Sequence, residues 1–103
     1  MTNLIIIKTT FTKKAKAKKL AQILLEKKLA ACIQFSKIES KYVWNNKIAK
    51  SKEILLEIKT NANLYNQIEE IILKNHEYEI PQIFAIKADF CHLQYEKWVN
   101  SCL

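Results

Sequence analysis

The chain has 103 residues, half of them hydrophobic, which suffices for one domain with a modest core. Its 17 basic residues are all lysines and outnumber 10 acidic ones, and glycine is absent, which excludes a glycine-rich phosphate loop. No apolar run approaches the roughly 18–20 residues that span a bilayer.

The start of the chain and its cysteines both bear on the compartment. The residues from Met1 to Leu4 show neither a basic region nor a small-residue cleavage site, so no signal peptide is expected. Cys32, Cys91 and Cys102 form an odd set without C-x-x-C spacing, which favours free thiols in a reducing compartment. We therefore expect a cytoplasmic protein.

The first elements are a buried strand and an amphipathic helix. The β-branched run Leu4–Ile7 predicts a central strand. Thr12 is the expected N-cap of a helix over Lys13–Lys28. Its apolar residues recur at helical spacing, and most of its lysines fall away from that stripe, which consists of Ala17, Leu20, Ala21 and Leu24.

A long hairpin follows, from Cys32 to Thr60. Two β-rich runs flank Asn45-Asn46, and Asn tolerates the left-handed backbone of a two-residue turn. Runs of about 13 residues correspond to roughly 40 Å, whereas a domain of this length is only about 30 Å across. The hairpin is thus expected to protrude, and its unpaired edges predict an oligomer.

The apolar residues of the first hairpin strand change from odd to even positions along the strand. Ile33 and Phe35 are odd-numbered, whereas Tyr42 and Trp44 are even-numbered. Because strand periodicity is two, we predict a bulge or kink near Ser36-Lys37, which directs Tyr42 and Trp44 away from the domain core and towards a neighbouring subunit.

The second half of the chain predicts a helix, a strand and a terminal helix. Asn61 or Asn63 is expected to cap a helix that ends near Asn75, with Leu64, Ile68, Ile71 and Ile72 as its apolar stripe. Pro81 predicts a loop before a strand over Ile83–Lys87. A short helix is expected between Cys91 and Cys102. The order is βαββαβ plus a helix, an α+β, ferredoxin-like plan.

Five ordered motifs give the chain a resemblance to one family. They are Leu29-Ala30-Ala31-Cys32, Ser40-x-Tyr42-x-Trp44, Glu53-x-Leu55-Leu56-x-Ile58-Lys59-Thr60, His76-x-Tyr78-Glu79-x-Pro81 and Tyr95-x-x-Trp98. Their spacing resembles that of the CutA family, over nearly the whole chain. This resemblance implies a single CutA-like domain over residues 1–103, a long β2–β3 hairpin and a cytoplasmic homotrimer resembling the PII signalling proteins. It also implies a non-enzymatic role in tolerance of divalent cations, notably copper.

The chain departs from the family pattern in three places. Asn46 stands where the family usually has Gly, Glu77 where it has Pro and Gln82 where it has Glu. The last two changes predict a less rigid loop after His76 and one carboxylate fewer beside it.

Candidate metal ligands are Cys32, His76 and Glu79, with no obligatory cofactor expected. Imidazole and thiolate suit copper, and our preferred hypothesis is a weak intersubunit copper site using Cys32 and His76. Cys32 as a core thiol, and His76 as a residue that caps the preceding helix and orders the loop, remain open alternatives. Cys91-His92 lies outside the family motifs, and its adjacency is treated as coincidence.

A second set of residues is expected at subunit interfaces or clefts: Ser40, Tyr42, Trp44, Lys59, Tyr78 and Trp98. Lys59 could bind an anion between subunits, as in a PII-like sensor of a small anionic ligand, or form a salt bridge with Glu57 or Glu79. No nucleophile with a paired base is identifiable, so we expect no enzyme.

The lysines of the first helix raise nucleic-acid binding as a further alternative. Arginine, which dominates specific base contacts, is absent. Solvated lysines on an amphipathic helix are therefore the favoured interpretation.

Overall fold

A four-stranded antiparallel sheet organises the computed structural model, which describes residues 2–103. Its strands are β1 (Leu4–Phe11), β2 (Cys32–Trp44), β3 (Lys47–Asn61) and β4 (Ile83–Lys87), in the spatial order β2-β3-β1-β4. The helices are α1 (Lys14–Glu26), α2 (Tyr65–Asn75) and α3 (Leu93–Ser101), with a 3₁₀ turn at Ala62–Leu64. The predicted α+β, ferredoxin-like element order is confirmed.

The hydrophobic core lies between one face of the sheet, here called the helix side, and helices α1 and α2. Antiparallel partners share a face, and Ile7 of β1 pairs with Ile58 of β3 and with Ala85 of β4. The fully buried members of this core include Ile7, Phe11, Leu20, Leu24, Leu56, Ile58, Ile68 and Ile72. The apolar stripes predicted for the two helices thus supply the core.

The hairpin turn consists of Asn45 and Asn46, as predicted. Their φ angles are 52° and 62°, the pair of positive values that a type I′ turn requires. Strand β2 has 13 residues and β3 has 15, and the molecule measures 45 Å along its longest axis against 26 and 22 Å along the others. The distal half of the hairpin, residues 37–54, forms an arm that accounts for this elongation.

The predicted bulge near Ser36-Lys37 is wrong. Every residue of β2 from Cys32 to Trp44 has one partner on β3, in a register that never shifts. Ile33 and Phe35 therefore lie on the helix side, while Tyr42 and Trp44 lie on the opposite face, here called the open face. The apolar phase changes because the strand uses both faces of the sheet, so Tyr42 and Trp44 point away from the core without a kink.

Helix α1 begins and ends differently from the prediction. Lys13, not Thr12, occupies the N-cap position, and no side chain of that residue caps the helix. At the other end Lys28 has φ 58°. The amide of Leu29 donates to the carbonyl of Leu24 (2.9 Å) and that of Lys28 to Leu25 (3.1 Å), the two bonds of a Schellman motif. Glycine is the usual residue at this left-handed position, and this chain uses lysine.

Helix α3 contacts the open face. The ammonium of Lys59 lies 5.3 Å from the ring centroid of Tyr95, and the Asn61 and Asn100 side chains are 3.5 Å apart. Val99 is the buried residue of the helix, whereas Leu93 and Trp98 remain exposed. Much of the open face beyond α3 stays uncovered.

Candidate functional site

An open cleft of about 760 Å³ lies between the hairpin arm and the loop that follows α2. Among its lining residues are side chains from the open face of the arm and from the loop, namely Ser40, Tyr42, Trp44, Glu53, Tyr78, Glu79 and Gln82. The structure thus brings together four of the six residues predicted for an interface or cleft. Lys59 and Trp98 lie elsewhere: Lys59 is beneath Tyr95 of α3, and Trp98 is in α3 itself.

A buried carboxylate stands at the base of this cleft. Glu53 lies on the open face but is only 8% exposed. The Tyr78 hydroxyl donates a 2.6 Å hydrogen bond to its Oε2. Burial and the neighbouring Glu53 carboxylate hold the pKa of Tyr78 well above its ordinary value, so this hydroxyl remains a donor at physiological pH.

His76 fixes the loop through both of its ring nitrogens. Its Nε2 lies 2.7 Å from the Thr10 carbonyl, and its Nδ1 accepts from the Tyr78 amide at 3.1 Å. Since a carbonyl only accepts and an amide only donates, the ring is the neutral tautomer with its proton on Nε2. The ring also stacks on Phe11, with centroids 4.1 Å apart.

The protonation of His76 is suppressed by its surroundings. Burial penalises the charged ring and lowers its pKa, although the hydrogen bond to Thr10 and the nearby Glu77 and Glu53 act in the opposite direction. A neutral ring with both nitrogens occupied orders the loop, as one of the sequence alternatives stated. His76 is the C-cap residue of α2, with extended backbone; its ring bonds to Thr10 and Tyr78 and not to the last carbonyls of the helix.

Glu77 attaches the same loop to the start of α1. Its Oε1 accepts from the Thr12 amide (2.6 Å), the Thr12 hydroxyl (2.6 Å) and the Lys13 amide (3.2 Å). Burial alone would raise the pKa of Glu77, but these hydrogen bonds lower it overall. A glutamate from a distant loop therefore performs the capping role that was predicted for Thr12.

The Glu77 contacts show how the loop is restrained although the usual proline is missing at this position. A proline would restrict the loop through its own backbone, whereas Glu77 restrains it through three hydrogen bonds to a helix. The prediction of a less rigid loop therefore ignored a compensating contact. Gln82, the other departure, lies in the cleft wall and brings no charge there.

The three candidate metal ligands do not converge within one subunit. Cys32 pairs with Lys59, whereas Thr10, the partner of His76, pairs with Leu55. That difference of four residues along β3 corresponds to about 13 Å. Among residues 2–103 no three His, Cys, Asp or Glu side chains form a group that could hold a metal ion.

Cys32 itself is a half-buried free thiol on the open face. Its position beside Lys59, outside the main core, fits an interface residue better than a core residue. Cys91 is also free, and its thiol donates to the His92 carbonyl at 3.5 Å. Nothing in this contact directs the two side chains to a common ion.

Lys59 does not form the salt bridge considered for it. Glu57 instead lies 3.7 Å from the ammonium of Lys8, and Lys59 lies over the ring of Tyr95. Tyr95 in turn packs against Trp98, with centroids 5.7 Å apart. In the described part of the chain, no carboxylate neutralises the Lys59 charge.

Large apolar side chains remain exposed on the open face and at the tip of the arm. Tyr42 and Trp44 are each 43% exposed, and Phe84 and Ile86 of the edge strand β4 are 44% and 47% exposed. These residues form two separate exposed apolar groups, one at the tip of the arm and one on the opposite edge strand, and exposed apolar surface of this kind is typical of protein interaction sites. Tyr42 and Trp44 also line the cleft. A partner that covers these two side chains would therefore also close the cleft.

Glu53 and Glu77 are the residues that sequence reasoning did not single out. Glu53 was visible only as the first residue of a family motif, and Glu77 only as a departure. Their partners are 25 and 65 residues away. One signal was present: a glutamate beginning an apolar strand run is unusual and suggests a buried, paired carboxylate.

Comparison with known proteins agrees with these features. The profile of the CutA1 divalent ion tolerance protein family matches residues 5–102. A probable divalent-cation tolerance protein CutA homolog of Encephalitozoon cuniculi is 34% identical over 94% of this chain and 85% of its own length. The divalent-cation tolerance protein CutA of Thermococcus kodakarensis is 34% identical over 96% of this chain and 95% of its own.

A solved structure gives the same result for the fold. The periplasmic divalent cation tolerance protein CutA of Archaeoglobus fulgidus superposes with a TM-score of 0.93 at 28% identity, covering 96% of this chain and 97% of that one. Sequence, fold and the ordered motifs around the cleft lead to one assignment: the chain belongs to the CutA1 divalent ion tolerance protein family.

Proposed function

We propose that this protein is a non-enzymatic homotrimer that acts in the response to divalent metal ions and binds copper weakly between subunits. One observation supports this proposal above others. The open face carries exposed apolar side chains and an acidic cleft, and both are open to solvent in the single chain.

The assembly part of the proposal rests on the arm and the sheet edges. Strands β2 and β4 are edge strands, with one neighbour each, and such edges pair readily with other chains. The arm extends Tyr42 and Trp44 beyond the core of its own subunit. We expect the open faces of two further copies of this chain to cover these residues.

The metal part rests on donor atoms that different subunits would have to combine. Cys32 and Glu79 have no hydrogen bond from their side chains in the described residues, whereas His76 must release Thr10 or Tyr78 to bind an ion. A site with such a cost fits weak binding. Within one subunit these donors do not fit a closed metal site.

Native mass spectrometry with and without copper tests both parts together. We expect a trimer that takes up copper in a fixed ratio to subunits. The variants Cys32→Ser, His76→Ala and Glu79→Gln should each weaken uptake, and Cys102→Ser, which removes another free thiol, should not. Unchanged copper affinity in Cys32→Ser and His76→Ala would remove this site, and a stable folded monomer at micromolar concentration would remove the assembly.

A cytoplasmic location is part of the same proposal. The three free cysteines support a reducing compartment. The structure describes no helix that is long and apolar enough to cross a membrane. The Archaeoglobus fulgidus relative is named as periplasmic, so the location of this chain needs its own measurement, for which fractionation of the source cells is suitable.

A second candidate is a PII-like sensor of a small anionic ligand between subunits. The unneutralised ammonium of Lys59 on the open face favours it. Thermal-shift screening of metal ions against nucleotides distinguishes the two, since only selective ligands of the native state raise its stability. Stabilisation by a nucleotide that Lys59→Gln abolishes would replace the metal proposal.

A further inference from the structure

The helix side of the hairpin arm carries a separate cluster of lysines. Residues that pair across β2 and β3 share a face, and this face continues from Ile54, which packs on the core. Here four exposed lysines project together: Lys37, Lys41, Lys50 and Lys52. We call this surface the lysine face; it is opposite to the apolar open face, and at its edge Glu39 and Lys41 also line the cleft.

Two of these lysines stand directly opposite each other. Lys41 of β2 is the register partner of Lys50 of β3, so their Cβ atoms lie about 5 Å apart. Like charges in this arrangement destabilise a sheet. Lys52 follows two residues after Lys50 on the same face, at about 7 Å.

The protein supplies little negative charge to offset them. Across residues 2–103 the ion pairs are Lys8–Glu57 and Lys74–Glu70, and neither involves this face. Glu39 is its only carboxylate, and although it pairs in register with Lys52 the two are not within salt-bridge distance. The cluster therefore keeps a net positive charge that an external anion would neutralise.

The lysine face continues towards the start of α1. Thr12 lines one shallow depression together with Lys37 and Lys52. The next residues of the chain, Lys13 and Lys14, are exposed. Lysines thus lie on both sides of this depression, whose lining also includes Glu39 and Glu53, and the structure brings two groups of lysines that are separate in sequence near each other.

The shape of this surface indicates the class of anion. Small ligands are held in concave sites that bury most of their surface. The depression of about 470 Å³ beside Lys41, Lys50 and Lys52 is wide open, and these lysines are exposed. A long polyanion gains affinity from many such contacts without enclosure, through release of its counterions. Arginine, the main reader of base edges, is absent.

We propose that the lysine face binds the phosphate backbone of nucleic acid without regard to sequence. The sequence interpretation of solvated lysines concerned the first helix alone. The new element is the opposed Lys41–Lys50 pair and its continuity with α1. This binding uses the face opposite to the apolar open face and requires none of the proposed copper ligands.

The test is fluorescence anisotropy of the intact protein with a labelled mixed-sequence duplex of about 20 base pairs, between about 50 and 200 mM salt. Each lysine–phosphate contact contributes about −0.9 to the slope of log K against log salt. The variant Lys41→Gln/Lys50→Gln should reduce this slope by about 2 and weaken binding roughly 50-fold at about 0.1 M salt. A second duplex of unrelated sequence should bind equally.

A matched control removes the same charge elsewhere. Lys87→Gln/Lys97→Gln changes two exposed lysines outside the lysine face and should leave the slope unchanged. Circular dichroism and native mass spectrometry are used to check that both variants keep the fold and assembly of the parent.

Three outcomes would overturn the proposal. One is the absence of binding at about 50 mM salt. Another is an equal loss of duplex affinity in both double variants, which would indicate that binding depends only on the net charge of the protein. The third is tighter binding to phosphatidylserine vesicles than to the duplex, lost in the Lys41→Gln/Lys50→Gln variant, which would assign the face to a membrane surface.

Discussion

The Tyr78 hydroxyl donates a 2.6 Å hydrogen bond to the Glu53 carboxylate, joining the loop after α2 to the base of the hairpin arm. Glu53 is 8% exposed, and a carboxylate so buried needs a donor. This contact, with those of His76 and Glu77, fixes one wall of the cleft relative to the other.

Tyr78→Phe removes that donor and leaves Glu53 buried without it. We expect a loss of about 1–3 kcal/mol in the free energy of unfolding, the usual effect of an unsatisfied buried charged group. Denaturant unfolding at fixed protein concentration measures it. Tyr95→Phe is the matched control, because no hydrogen bond of the Tyr95 hydroxyl occurs in the described residues; equal losses in both variants would contradict the role of the bond.

Glu77→Gln weakens the three contacts at the start of α1. The charge that attracts the Thr12 and Lys13 amides is lost, so we expect a decrease of about 1 kcal/mol in stability, similar to the loss of a helix cap. Glu79→Gln removes the same charge from an exposed position of the same loop and should change thermal stability little. A larger effect of Glu79→Gln than of Glu77→Gln would show that the loop is held in another way.

Acidification should destabilise the protein through His76. Its pKa is lowered in the folded state by burial, so below the unfolded value of about 6.5 the unfolded chain binds more protons than the folded one. The His76 contribution is thus fully present above about pH 6.5 and is lost as the pH falls towards the folded-state pKa. Glu77, whose pKa is also lowered, adds a second loss below about pH 4.5.

Thermal unfolding between about pH 7.5 and pH 5 measures the histidine effect. His76→Gln should flatten the profile over this range, while His92→Gln, which removes the other histidine, should leave it unchanged. A profile that His76→Gln does not alter would contradict the assignment.

Lys28→Gly should stabilise the protein. Lys28 has φ 58° at the end of α1, and a non-glycine residue in this region costs about 1 kcal/mol. Removing that cost should raise the free energy of unfolding, less the added chain entropy of glycine in the unfolded state. Lys27→Gly is the control: Lys27 has φ −80°, and glycine there should destabilise.

Much of the fold could be predicted from the sequence because its signals are local. The Asn45-Asn46 pair specifies its turn through backbone preference, and the apolar stripe of α1 identifies its buried residues. The bulge was predicted wrongly because the shift of apolar residues from odd to even positions was attributed to a distortion of the backbone, which the structure does not have. Tyr42 and Trp44 are apolar on the face opposite to the core, and a single sequence does not state how many faces of a sheet are covered.

The candidate site was less predictable for a different reason. Its cleft residues were identified through ordered motifs, but the contacts that fix them link residues far apart in the chain, such as Thr12 with Glu77 and Glu53 with Tyr78. No local pattern encodes such pairs. The proposed ligand role of His76 could not be weighed from sequence either, because both of its nitrogens bond to backbone groups that any residue would supply.

The unbroken register of β2 and β3 also limits how this hairpin can change during evolution. With no bulge to absorb an extra residue, inserting or deleting one position in β2 between Ile33 and Tyr42 would exchange the two faces of the part of β2 that lies beyond it. Tyr42 and Trp44 would then move to the side that now carries lysines, and the lysines of β2 that lie beyond the change would move to the apolar side. Length variation in this strand should therefore be tolerated only in steps of two residues.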